Sequence, residues 1–330
     1  MIRCILLFFC FTFAANAADF INVKEFTDRG IMMFGDTSQG GTPFAKDPSV
    51  IRFKDTYFLY YSFPTKSLTA KWCIGVATSK DLLIWEKQTT LNSEQQCEAN
   101  GFCAPGAIVI GGKVHLFYQT YGNQKNDAIC HAWSEDGLHF TRDPSNPIFR
   151  PHGDWTCGRA IDAEVFPDGD RLLLYFASRD PSYKTQLVGV ASAAITSDFS
   201  RSQWSQLADR AILRPELPWE KDCIEAPTLL RHGGSLFMFY AGAYNNWPQQ
   251  IGCAVSGDGV EWKRLSDHPL LAVGKPGSWN SSESGHPGVF TDTDGQSYLF
   301  YQGNADHGKS WFLSKVKVDW KDNRPMVSSN

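Results

Sequence analysis

The chain has 330 residues, of which 42% are hydrophobic, 14% aromatic and 20% charged, with a formal net charge of −4 at pH 7. This is enough to bury a sizeable core in one all-β domain, and too hydrophobic for a disordered chain. No dense Lys/Arg cluster offers a footprint for nucleic acid.

Residues 1–17 carry the marks of an export signal. Arg3 supplies the positive end, Ile5 to Phe13 the apolar stretch, and Ala15-Asn16-Ala17 a small-residue cleavage site. No later stretch is long and apolar enough to cross a membrane, so the expected location is secreted or periplasmic, with no membrane partner. Beyond residue 17 lie seven cysteines: Cys73, Cys97, Cys103, Cys130, Cys157, Cys223 and Cys253. An oxidising compartment favours pairing, and the odd count leaves at least one thiol free. None of the spacings is C-x-x-C, which argues against a zinc site. Asn280-Ser281-Ser282 is a glycosylation sequon.

Five copies of one unit follow. Asp47-Pro48, Ala104-Pro105, Asp162-Ala163, Ala226-Pro227 and His286-Pro287 each open an apolar run, and their starts are 57, 58, 64 and 60 residues apart. Each run reaches a turn, at Lys54-Asp55, Gly111-Gly112, Asp168-Gly169, Gly233-Gly234 and Asp294-Gly295, and then an aromatic-rich run. Two-residue turns rich in Gly between such runs signal hairpins. A further strand, a turn and a Trp-containing outer strand complete the unit, as in Ile74 to Trp85 and Ile251 to Trp262. Four strands repeating about every 60 residues predict propeller blades. The fold expected is a single-domain, all-β, five-bladed β-propeller over residues 18–330. The fifth unit lacks a clear outer motif, and the segment Gly30 to Phe34 is expected to supply its last strand.

In a propeller the first strand of each blade lines the axis. The unit starts therefore converge Asp47, Cys103-Ala104, Asp162, Glu225 and His286 on one channel mouth. Like charges in a restricted space raise one another's pKa, so three acids there call for work to do. Glycoside hydrolysis uses separated carboxylates: one protonates the departing oxygen and another activates water or attacks the anomeric carbon. A third carboxylate keeps the proton donor protonated.

These motifs, Asp47-Pro48-Ser-Val, Ile161-Asp162, Glu225-Ala226-Pro227 and Gly285-His286, resemble the blade motifs of glycoside hydrolase family 43 over nearly the whole chain beyond the signal. The resemblance implies an inverting enzyme acting on arabinofuranosyl or xylosyl linkages. Asp47 would be the base, Asp162 the pKa modulator and Glu225 the acid. No cofactor is required, and the family's central calcium, near His286, leaves a structural calcium open. The motifs depart from the family's pattern at Ala226, at Ala163 and before Ala104, which bears on subsite shape and sugar identity. A partial resemblance to invertase- and levanase-type propellers implies instead a retaining fructosidase with Asp47 as nucleophile. A non-catalytic carbohydrate-binding propeller is the non-enzymatic alternative. Candidate substrate contacts are Phe44, Phe102, Arg179, Trp247 and His286, with Trp72, Tyr121 and Tyr183 on the same loops. A disulfide among Cys103, Cys157 and Cys223 is expected to brace the rim. The expected partner is a carbohydrate and the expected state a monomer.

Overall fold

Each repeat unit folds as an antiparallel four-stranded sheet, in the computed structural model that describes residues 21–38, 40–65 and 71–328. The expected export signal lies outside those residues. Blade one comprises β1 (Lys46–Phe53), β2 (Thr56–Pro64), β3 (Trp72–Ser79) and β4 (Glu86–Leu91). Blade two has β5 (Phe102–Ile110), β6 (Lys113–Thr120), β7 (Ile129–Ser134) and β8 (Thr141–Arg142). Blade three has β9 (Ile161–Asp168), β10 (Arg171–Arg179), β11 (Gln186–Ala194) and β12 (Ser205–Gln206). Blade four has β13 (Ile224–His232), β14 (Ser235–Gly242), β15 (Gln250–Ser256) and β16 (Lys263–Arg264). Blade five has β17 (Glu283–Thr291), β18 (Ser297–Asn304), β19 (Phe312–Lys321) and β20 (Arg324–Ser328). The five-bladed all-β propeller expected from the repeat is the fold observed.

The second strands are buried on both faces, which is why they read as unbroken aromatic runs rather than alternating ones. Tyr60, Tyr61, Tyr118, Tyr175 and Tyr240 are all within 1% of full burial, and their hydroxyls are satisfied. Tyr60 donates to the carbonyl of Gly137 and Tyr175 to that of Gly259, each in the outer turn of the next blade. Those outer turns are built by one Ser-x-Asp device at Ser79, Ser134 and Ser256. The aspartate Oδ1 accepts two backbone N–H groups in each, as at Leu83 and Ile84, Leu138 and His139, and Val260 and Glu261.

Two expectations need correction. The fourth strand of blade five is β20, from the chain's own C-terminal end, and Gly30 to Phe34 contributes only a single bridge, Phe34 with Leu313. In blades two to four the third strand bridges a single residue beyond the short outer strand, at Phe149, Leu213 and Leu271. Phe34 takes that same place in blade five, so the outer edge there is assembled from both ends of the described chain. The other correction concerns sulfur. All seven cysteines among the described residues are free thiols, and Cys103, Cys157 and Cys223 form no rim disulfide.

Every inner strand carries a register shift at the same place, near Lys46, Cys103, Ile161, Glu225 and Gly285. The residue following each adopts a left-handed backbone: Asp47, Ala104, Asp162, Ala226 and His286 have φ between 44° and 53°. A bulge of this kind bends the strand and re-aims a side chain. The strands then close tightly on one another below the bulge. A Cβ added at Gly106 would stand 2.1 Å from the Ala163 carbonyl oxygen, and one at Gly288 would stand 2.1 Å from that of Pro48.

Candidate active site

The bulges hold a pocket of about 310 Å³ at the mouth of the axis, lined by Asp47, Asp162, Glu225, His286, Lys46 and Arg179 among others. A smaller cavity of about 50 Å³ continues down the axis past Asp162 and His286 to Glu164. The strained bulge residues do not stand alone. The Asp47 amide donates to Gln302 Oε1 at 3.1 Å, the Ala104 amide to Ser62 Oγ at 2.7 Å and the Asp162 amide to Gln119 Oε1 at 2.7 Å. Ser62, Gln119 and Gln302 occupy equivalent positions, one residue past the aromatic pair of a second strand. Where that position is Ala241, Gln249 substitutes, accepting the His286 amide at 3.1 Å.

Asp47, Asp162 and His286 meet at the axis. His286 Nε2 lies 3.3 Å from Asp47 Oδ1 and 3.4 Å from Asp162 Oδ1, with all three side chains at most 12% exposed. Burial alone would discharge the imidazole, but the two aspartates, with Glu225 beyond them, hold its pKa up at about 9. An imidazolium therefore sits between the carboxylates where a cation would otherwise be needed. Asp162 Oδ2 is buried without a hydrogen-bond partner. Among the described residues no group of three or more His, Cys, Asp or Glu is placed to hold a metal ion.

Glu225 stands one residue before its bulge, at the position held elsewhere by Lys46, Cys103 and Ile161, and so points into the pocket rather than down the axis. Its slot is thus offset by one residue from that of the two aspartates. Gln249 Nε2 donates to its Oε1 at 2.6 Å, and Gln186 Nε2 donates to its Oε2. Burial and then the charge of Asp162 raise its pKa, against the pull of His286 and Gln249. A carboxyl whose pKa is pushed up, opposite two carboxylates that share one imidazolium, is the arrangement of an acid and base pair separated by environment.

Arg179 lines the pocket. Its Nε donates to Gln186 Oε1 at 3.1 Å, and its guanidinium lies 4.5 Å from the Tyr183 ring centre and 5.3 Å from that of Tyr244. The other proposed contacts sit differently. Phe102 is 1% exposed and packs edge-on against Tyr118 in the core, behind the pocket wall. Phe44 backs Trp72, 5.7 Å between ring centres, and Trp72 and Tyr121 form the aromatic wall that faces the pocket. Trp247 is 63% exposed on the rim, its carbonyl accepting from Lys221, and it does not line the pocket. Trp155, Trp219 and Trp279 stack over second-strand rings of their own blades, packing roles rather than sugar contacts.

Several pocket residues had no motif to announce them. Lys46 lies 4.5 Å from the Trp311 ring centre and donates to Asn245 Oδ1 at 2.6 Å. Asn245 in turn donates to Glu283, a fully buried carboxyl whose pKa burial raises to about 7. Gln186 and Gln249 stand at or next to the starts of third strands and Arg159 in the loop that enters β9, where loop lengths differ and no repeat frame exists. A polar residue after the aromatic pair, present in three of the five second strands, is the periodic signal of this layer.

Residues 41–325 match the family of glycosyl hydrolases family 43. The chain belongs to that family. Its fold is similar to that of a thermostable family-43 glycoside hydrolase, with a TM-score of 0.72 and 22% identity over 90% of this chain and 96% of the other. It is also similar to an endo-1,4-beta-xylanase of Bacteroides thetaiotaomicron VPI-5482, with a TM-score of 0.67 and 22% identity over 87% and 94% of the two chains. An uncharacterised protein of Mycobacterium tuberculosis is 28% identical over 205 residues, which are 59% of this chain and 65% of the relative's length.

Proposed function

We propose that the chain is an exported glycoside hydrolase that inverts configuration at arabinofuranosyl or xylosyl linkages. The observation that carries this reading is the division of labour among the acids. Glu225 is half-buried and bracketed by two amides, its pKa raised by burial and by the charge of Asp162, while Asp47 and Asp162 are tied to one imidazolium at the far side of the same pocket.

In this mechanism Glu225 gives its proton to the departing glycosidic oxygen. Asp47 draws a proton from water, which attacks the opposite face of the sugar. One oxygen of Asp47 is held by His286; the other has no protein partner among the described residues and is free to take that water. Asp162 keeps Glu225 protonated by its charge and fixes the imidazolium. Family membership and the likeness to a xylanase support the sugar class.

The test is a screen of aryl arabinofuranosides and xylosides with the wild type and Asp47→Asn. The variant should lose about 10³-fold in turnover while keeping its fold, the scale of a lost general base. Proton NMR of the anomer first released should show inversion; retention would instead make Asp47 a nucleophile. Full activity in Asp47→Asn would exclude both.

A further inference from the structure

We propose that Arg179, backed by Arg159, forms an oxyanion subsite in the pocket, so that the enzyme engages a carboxylate borne on the sugar or a free phosphate. The inference deepens the glycosidase reading and rests on it.

Among the described residues Arg179 makes no ion pair with any carboxylate, although the pocket contains three acids. Those acids are otherwise engaged: Asp47 and Asp162 with His286, and Glu225 with Gln186 and Gln249. Arg159 is committed on one side, its Nε 3.2 Å from Asp127 Oδ2, and its Nη1 reaches Gln186 Oε1 at 3.4 Å. Gln186 Oε1 therefore accepts from both arginines, which sets its amide with the nitrogen toward Glu225. What remains of Arg179 is its outer edge. Nε is pinned by Gln186, and Tyr183 and Tyr244 flank the guanidinium, so both terminal amino groups stand without an acceptor in a fixed plane. Tyr244 is itself anchored, its hydroxyl donating to the Lys184 carbonyl at 3.0 Å.

A sugar hydroxyl would use one of these donors. A pre-set, planar pair of unpaired donors on a permanent cation matches a carboxylate or phosphate, which takes both at once. The position matters for chemistry as well. Arg179 shares Gln186 with the acid Glu225, so an oxyanion bound there lies beside the departing oxygen's side of the pocket.

The test measures binding without requiring turnover. Isothermal titration at constant ionic strength compares D-galacturonate with D-galactose, D-glucuronate with D-glucose, and inorganic phosphate, in the wild type, Arg179→Gln and Arg179→Lys. At least one oxyanion should bind about 10–100-fold more tightly than its neutral counterpart or, for phosphate, than the neutral sugars, the scale of charge-assisted hydrogen bonds. Arg179→Gln should erase that preference and Arg179→Lys should keep only part of it, with thermal midpoints showing that both variants fold. A uronate preference assigns the oxyanion to the substrate. Phosphate binding alone assigns the oxyanion to free phosphate rather than to the sugar. No oxyanion preference in the wild type, or an undiminished one in Arg179→Gln, overturns the subsite. Oxyanion binding without any glycosidase turnover would count against the reaction alone, and turnover of neutral glycosides without oxyanion preference against the subsite alone.

Discussion

His286 links stability to pH through a single side chain. Its pKa is about 6.5 for an ordinary histidine and about 9 in the folded protein. A folded pKa above the unfolded one adds stability that is complete below about 6.5 and is lost as pH rises through about 9. The contribution at neutral pH and below is on the order of 3 kcal/mol. His286→Gln removes it, so the stability gap between wild type and variant in urea unfolding should be wide at pH 6 and shrink by pH 9.5. A gap that stays constant would show that the imidazole is not charged between the two aspartates. Asp162 acts on a second group. Its charge helps raise the Glu225 pKa, so Asp162→Asn should move the alkaline limb of the rate profile to lower pH, beyond any loss in rate. An unmoved limb would assign that limb to another acid. Asp47, Asp162 and His286 were legible because they fill one repeated slot. Glu225 was legible through its Ala-Pro partner, although one residue out of frame. Gln186 and Gln249 were not, because they belong to loop-bounded ends where the blades differ in length.

Two elements hold this arrangement in place, and each has its own signature. The bulges hold five non-glycine residues at positive φ, a conformation that costs an ordinary residue about 1–2 kcal/mol. Ala104 and Ala226 occupy the slot without contributing chemistry. Ala104→Gly should therefore relieve strain and raise stability by about 0.5–1 kcal/mol after the glycine's larger unfolded-state entropy is counted. Its amide would keep the Ser62 bond, and activity should be unchanged; a loss of stability would mean that the bulge is not strained there. The other element is a buried ionic cluster repeated in blades two and four. Glu98 accepts from the Tyr118 hydroxyl at 2.6 Å and Arg142 Nε at 2.8 Å; Glu220 accepts from Tyr240 at 2.8 Å and Arg264 Nε at 2.7 Å. Their spacings along the chain are identical, Glu to Tyr and Tyr to Arg, so this was readable as a long-range motif once the blades were aligned. Arg142→Ala leaves Glu98 buried and unpaired and should cost about 3–5 kcal/mol in urea unfolding. Replacing both partners, Arg142→Met with Glu98→Gln, should cost clearly less. Equal costs would show that the unpaired Glu98 charge is not the source of the loss.

Closure of the ring is a property of the whole molecule, and it was the part of the fold least legible in the sequence. The period of the repeat announces five blades, but it says nothing of where the fifth acquires its outer edge. β20 lacks the Ser-x-Asp turn and the tryptophan that mark other outer strands, so it does not read as a copy. The N-terminal segment contributes one bridged residue rather than a strand, too short for any pattern. Yet that residue ties the start of the described chain to its end. Phe34 and Leu313 exchange backbone hydrogen bonds of 2.9 and 2.8 Å, and Ser314 Oγ donates to the Met32 carbonyl at 2.7 Å. The Phe34 ring, 8% exposed, packs edge-on against Tyr61 of blade one, 5.0 Å between centres. Phe34 thus bonds to blade five through its backbone and to blade one through its side chain. Because β1 and β17 also pack at the axis, loosening the outer junction need not open the inner ring, and the active-site bulges should persist. Phe34→Ala keeps the backbone bridge and empties the contact with Tyr61, which should cost about 3–5 kcal/mol. For a domain of this size that lowers the thermal midpoint by roughly 5–10 °C. Met326→Ala on β20, at a side chain 48% exposed, should shift it by less than about 1 °C, since surface changes of this kind stay within about 0.5 kcal/mol. Turnover of Phe34→Ala measured well below its midpoint should match the wild type. If the two variants melted together, the seam between blades five and one would be held by the inner strands alone, and the N-terminal segment would be a passenger.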